Sequence, residues 1–180
     1  MISAADLVRY QNEAKKMFDR AHIVITPEEA KRIETADFGL GQFDETGLIV
    51  LVYVNTDRVC AKELALLPGQ TCPEHRHPTR GAVLGKEETF RCRAGQVYLY
   101  VSGEPVKNPK AKPPKGREKT YTVWHEIVLN PGEQYTLKPD TLHWFQGGPE
   151  GAVVSEFSTR STDEADVFTD EEIQRITKVG

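Results

Sequence analysis

From residue 47 onward the chain is built of short β-rich runs held apart by turn residues. The runs "GLIVLVYVNT", "CAKELALLPG", "TFRCRAG", "QVYLYVSGE", "KTYTVWHEIVLNPGE", "QYTLKPD" and "GAVVSEFST" follow one another, most of them divided by Gly, Pro, Asn or Asp. A spacing of about ten residues between turn signals is the pattern of antiparallel strands in a sandwich or barrel. The segment "PVKNPKAKPPKGREK" interrupts the series. Proline lacks the backbone donor that a central strand needs, so this segment reads as an exposed loop.

The residues before 47 have a different period. Ser3 can cap a first helix, with Leu7, Ala14, Met17 and Phe18 near one face. In "ITPEEAKRIETA", Thr26 caps, Pro27 takes the first helical position and Glu29 completes a capping box. At the other end, Thr169 and Glu172 are placed as a further capping box, which predicts a short closing helix. The expected organisation is one domain over 1–180. It comprises a helical extension over 1–40, a β-barrel over 47–160 and a tail with a helix over 161–180.

Bulk properties narrow the function. A chain of 180 residues can bury a core without disulfides. The net charge of -4 argues against a nucleic-acid partner. No apolar run approaches the ~18 residues of a membrane span. The N-terminus lacks the apolar stretch of a signal peptide, and Cys60, Cys72 and Cys92 show no framework spacing. A reducing cytoplasm is therefore expected.

The chemistry is concentrated in "GQTCPEHRHPTRGAVLGKEETFRCRAG". Side chains alternate across a strand, so His75 and His77 fall on one face. Glu88 follows after a glycine-containing turn, and His143 in "LKPDTLHWF" supplies a further imidazole. Three imidazoles and a carboxylate suit Mn²⁺, Fe²⁺, Zn²⁺, Co²⁺ or Ni²⁺, and ligand type alone does not choose among them. The remaining coordination positions can take substrate oxygens. A zinc site using Cys72 with the two histidines is the weaker alternative, since no second cysteine pair supports it.

These residues resemble the first cupin motif, with Gly69, His75, His77, Glu88 and Gly95 in place. The gap between His77 and Glu88 is longer than the common one. "PGEQYTLKPDTLHWF" resembles the second motif, with Pro139 before His143. There Asp140-Thr141 stands where a glycine usually follows the proline, and the usual trailing asparagine is missing. "KELALLPGQTCPEHRHP", "GKEETFRCRAGQVYLYVSGE", "HEIVLNPGEQYTLKPDTLHWFQGG" and "VVSEFSTRSTDEADVFTD" together look like the D-lyxose ketol-isomerase family of cupin-type sugar isomerases. The resemblance implies a mostly β cupin jelly-roll barrel, with the N-terminal helices and closing helix outside it. It also implies a divalent metal, manganese first, at His75, His77, Glu88 and His143. The implied reaction interconverts D-lyxose with D-xylulose, and D-mannose with D-fructose, through an enediol with O1 and O2 on the metal. A homodimer is implied as well.

Lys62 and Glu156 match polar residues that this family uses near its sugar, and are expected to be the catalytic pair. Lys62 shares a strand face with Cys60, Leu64 and Leu66, where a lysine needs a partner or a role. Desolvation and a nearby cation are expected to lower its pKa toward neutrality. Glu156, on a face with Val154 and Ser158, is expected across the barrel from it. Phe90, Phe145, Arg160 and Asp170 are candidate sugar contacts, and one or two of the polar tail residues Arg160, Asp163, Asp166 and Asp170 are expected to fold back over the sugar hydroxyls. Glu74 and Glu87 are expected on the surface, and His125 in a structural role. Tyr98 and Tyr100 alternate with a second apolar row, and only one row faces the interior. A cupin isomerase of sugar phosphates would need basic residues such as Arg76, Arg80, Lys86, Arg91 or Arg93. A cupin iron dioxygenase would use the same metal ligands.

Overall fold

The computed structural model describes residues 2–180. Helix α1 (Ala4–Arg20) begins at Ser3, whose side chain accepts from the Asp6 amide. Its apolar stripe, Ala14, Met17 and Phe18, packs on the outer face of the sheet against Ile49, Leu51, Ala65 and Val153. Helix α2 (Pro27–Lys31) carries the reciprocal Thr26–Glu29 capping box. It stops short of the expected length, because Glu34–Ala36 pairs instead with a neighbouring strand and becomes β1.

The remaining strands are β2 (Leu48–Asn55), β3 (Cys60–Leu66), β4 (Thr71–Arg76), β5 (Glu88–Val101), β6 (His125–Leu129), β7 (Gln134–Leu137), β8 (His143–Ser158) and β9 (Val167–Phe168). All neighbours are antiparallel. The order runs β1-β2-β3-β8-β4-β9, and β5 pairs with β6, β7 and β8. This is the expected mostly β, cupin-type curled sheet. One pair of expected runs has fused into the single strand 88–101, and the expected run at 151–159 starts earlier, giving one strand over 143–158. Both bend where their register shifts, between Gly95 and Val97 on β5. There Gly95 has φ +70°, and a Cβ on it would lie 2.0 Å from the Gly151 carbonyl oxygen, so only glycine lets the strands approach.

Alternation divides the side chains. Leu64, Leu66, Phe90, Cys92, Val97, Leu99, Phe145 and Val154 fill the barrel. The opposite row, Tyr98 and Tyr100, joins Trp144, Tyr121 and Ala111 in an outer cluster. The Tyr100 and Trp144 rings stack at 4.1 Å, and Ala111 brings the Pro- and Lys-rich segment down over them. That segment is a loop, though not uniformly exposed.

The closing helix does not form. Residues 163–165 make one 3-10 turn, and no helix follows. Thr169 donates its hydroxyl to Glu74 instead of capping, and the Gln174 amide bonds to the Phe38 carbonyl. Val179 bridges to Ile2. Partners elsewhere in the fold have outcompeted a short local helix, which is marginal on its own.

Candidate metal centre and active site

Strand β8 carries the site on both of its arms. Its first residue, His143, lies opposite His75 on β4. Near its other end, Glu156 lies opposite Lys62 on β3 and Phe90 on β5, and Ser158 lies opposite Glu88. The curl of the sheet turns these positions toward one point. His75, His77, Glu88 and His143 are all buried, His143 completely.

The imidazoles are held from behind. His75 Nδ1 lies 2.7 Å from the Pro73 carbonyl oxygen, and His143 Nδ1 lies 2.9 Å from that of Thr141. A carbonyl can only accept, so each Nδ1 carries the proton and each Nε2 presents a lone pair. His77 Nδ1 is 2.5 Å from Asp166 Oδ1. One ring nitrogen from each histidine lies within 4.8 Å of the others. Glu88 Oε1 joins them, 3.0 Å from His77 Nε2 and 3.2 Å from His143 Nε2. His143 Nε2 is buried without a hydrogen bond. An orphaned buried acceptor among convergent lone pairs and a carboxylate is the donor set a divalent cation requires, with outer partners fixing each ring. Cys72 is buried and free, and is not part of this nitrogen cluster.

The turn before His143 explains the unusual second motif. Asp140 has φ +63°, a left-handed conformation that aspartate tolerates better than most residues. Its carboxylate accepts from the Thr79 amide at 2.8 Å and the Thr79 hydroxyl at 2.5 Å, and pairs with Arg76 at 3.2 Å. The aspartate thus makes the glycine-type turn and ties it to the chain just beyond His77.

Beside the histidines lies a buried charge network. Lys62 Nζ is 3.6 Å from Glu156 Oε1 and 2.8 Å from both Asp163 Oδ2 and Ser161 Oγ. Lys86 Nζ is 2.7 Å from Glu88 Oε2 and 3.2 Å from Glu156 Oε1. Two expectations about Lys62 are corrected. Glu156 is its neighbour on a paired strand, not its counterpart across the barrel. Burial pushes the Lys62 pKa down, but Glu156 and Asp163 outweigh it and hold the pKa above its ordinary value. Lys86 is held higher still, again against burial, by Glu156, Glu88 and Asp163. Burial opposes ionisation of Glu88, yet Lys86 and His77 keep its pKa well below the carboxylate range. His77 is pushed up to about 9, because Glu88 and Asp166 overcome burial. Burial and the two neighbouring imidazoles drive His75 well down.

Phe90 and Phe145 line the cavity beside His75 and Glu88, as expected. Arg160 and Asp170 do not reach it. Arg160 is exposed and paired with Asp57, while Asp170 is paired with Arg117. Glu74 is corrected from the surface to the interior. It is 1% exposed and accepts from the Thr122 amide and hydroxyl, the Val123 amide and the Thr169 hydroxyl. Glu87 is exposed, and so is His125, whose Nδ1 lies 3.1 Å from the Glu104 carbonyl oxygen. Sequence reasoning missed Phe168 as part of the site, weighed Lys86 only as a phosphate contact, and named Asp163 and Asp166 only among tail residues that fold back over the sugar. Lys86 had a signal, since it stands two residues before Glu88 and shares its parity. For the tail, the sequence could not say which residues return, because a tertiary pairing of β9 with β4 delivers them and stacks Phe168 on His75 at 5.3 Å.

The D-lyxose isomerase family model matches residues 28–180. The chain belongs to the D-lyxose isomerase family. Membership makes it an isomerase. It is 61% identical to the D-lyxose/D-mannose isomerase of Thermosediminibacter oceani, over 99% of both chains. It is 58% identical to the D-lyxose ketol-isomerase of a Thermofilum species, over 97% of both. The fold is shared with the L-ribose isomerase of an Acinetobacter species solved with L-ribose. That likeness has a TM-score of 0.83 at 18% identity, covering 99% of this chain and 98% of the other. No described helix is long and apolar enough to cross a membrane.

Proposed function

We propose that this family member is a metal-dependent aldose–ketose isomerase of free sugars, with D-lyxose and D-xylulose as one pair and D-mannose and D-fructose as another. The observation that carries the reading is the convergence of three imidazole nitrogens and Glu88 beside the Lys62–Glu156 pair. The names of the relatives support the choice of sugars. His75, His77, Glu88 and His143 would hold the ion, for which manganese is the first candidate and Co²⁺, Ni²⁺, Fe²⁺ and Zn²⁺ the others. When bound, a divalent cation supplies Lewis-acid polarisation of the sugar carbonyl.

The side chains do the rest. Isomerisation removes a proton from the carbon next to the carbonyl and returns it to the neighbouring carbon, through an enediol. Glu156 is the acceptor and donor of that proton. It can act as a base, whereas Lys62, held as an ammonium, cannot. Lys62 aims its charge where the oxygen becomes negative and supplies a proton to it. Phe90, Phe145 and Phe168 keep water away. The cavity is about 30 Å³, enough for roughly two water molecules.

A sugar phosphate fits less well. The cavity's cations, Lys62, Lys86 and Arg175, face four carboxylates: Glu88, Glu156, Asp163 and Asp166. Arg76 is engaged by Asp140 and Arg91 by Gln134, leaving no built anion cradle among these groups. Three free, buried cysteines accord with a cytoplasmic enzyme, and we assign a homodimer by family likeness.

The test is metal-reconstituted protein incubated with D-lyxose and with D-mannose under anaerobic conditions. Ketose formation is expected. Absence of ketose from any free pentose or hexose overturns the reading. Oxygen uptake with substrate loss would favour a dioxygenase, and activity confined to phosphorylated sugars a sugar-phosphate isomerase.

A further inference from the structure

Lys86 is a buried charge for which the reaction above has no use. Gly85 precedes it, and a Cβ there would lie 2.0 Å from the His77 carbonyl oxygen. The chain therefore passes tightly beneath His77, delivering residue 86 into the cavity. Lys86 is only 7% exposed. A lysine is almost never buried without acidic partners, and this one has Glu88 Oε2 at 2.7 Å, Glu156 Oε1 at 3.2 Å and Asp163 Oδ1 at 3.8 Å.

Those contacts divide the Glu88 carboxylate. Its Oε2 belongs to Lys86, while its Oε1 faces His77 and His143. The same ammonium stands with Lys62 on one oxygen of Glu156. We propose that Lys86 is a positioning residue. It restricts Glu88 to a single ligating oxygen and fixes Glu156 at the distance its proton transfer needs. This deepens the proposed function and rests on it. Carboxylates can ligate through one oxygen or two, and a second Glu88 oxygen on the ion would take a position that the sugar needs. Releasing Glu156 also loosens the base, and a displacement of about 1 Å can cost roughly 100-fold in rate.

The test uses Lys86→Met, which keeps the length of the side chain and removes the charge, with Co²⁺ as both metal and probe. One Co²⁺ per chain is expected to remain. Its visible absorption should weaken relative to wild type, because the second Glu88 oxygen raises the coordination number. Activity on D-lyxose should show kcat down about 100-fold with KM within about threefold. In Lys86→Ala, added ethylammonium should restore part of kcat, and ethanol should not. A cobalt spectrum identical to wild type overturns the Glu88 assignment whatever the activity. Unchanged kcat overturns the Glu156 assignment. If wild type itself makes no ketose, the isomerase reading falls, while the cobalt spectrum still decides whether Lys86 divides Glu88. If Lys86→Met does not fold, Lys86→Gln gives the same readouts.

Discussion

Lys62 and Glu156 stand directly opposite each other on the hydrogen-bonded strands β3 and β8, with the ammonium 3.6 Å from the carboxylate, and both are 4% exposed. Their meeting follows from register alone. A slip of either strand by one residue would send its member of the pair to the outer face.

The pair should therefore separate from metal binding when mutated. Lys62→Met and Glu156→Gln are each expected to lower kcat by about 10²–10⁴-fold, the usual range for losing an acid–base group. Metal analysis should still find one ion per chain. Normal turnover in either variant would remove that residue from the chemistry.

Loss of a ligand should do the reverse. His75→Ala, Glu88→Ala and His143→Ala are expected to abolish both metal uptake by calorimetry and turnover. Asp166→Ala removes the group behind His77 Nδ1. A partner of that kind should cost about 10–100-fold in metal affinity without abolishing binding. Wild-type affinity in Asp166→Ala would show that the ring needs no such support.

Acid sensitivity should trace to Asp163. Burial opposes its ionisation, but Lys62, Lys86 and Arg175 hold its pKa well below the ordinary 3.8. The folded-state pKa is depressed, so the stabilisation is complete above the unfolded value and fades as pH falls through and below it. Wild type should lose Tm more steeply than Asp163→Asn between about pH 5 and pH 3. Parallel curves would assign acid unfolding to other carboxylates.

The turn at Asp140 separates backbone from side-chain effects. Asp140→Gly keeps the left-handed conformation and loses the hydrogen bonds to Thr79. Asp140→Ala loses both, and should be less stable than the glycine variant by about 1–2 kcal/mol in denaturant titrations. Equal stabilities would mean that the backbone relaxes without strain.

Much of this protein was legible residue by residue. Alternation and turn spacing gave the strands, capping signals gave the starts of α1 and α2, and the parity of His75 and His77 put them on one side. Ligand chemistry pointed to Glu88 and His143, and family resemblance supported Lys62 and Glu156; the four lie together. Local signals fail where a segment has more than one available partner. Residues 34–36 read as the end of a helix but pair with β2, and Thr169–Glu172 read as a cap but is drawn to Glu74.

Period and parity are properties of a few neighbouring residues, so the sequence by itself determined which faces are apolar and which side chains travel together. Register and curl depend on contacts between residues far apart in the chain. The tertiary structure alone decided that Glu156 sits beside Lys62, that Lys86 takes one oxygen of Glu88, and that Asp163 and Asp166 return to close the site. The physical reason is that a buried charge is tolerable only where the whole fold delivers its counter-charge, and for Lys62 with Glu156 or Asp163, and for His77 with Asp166, no local window contains both.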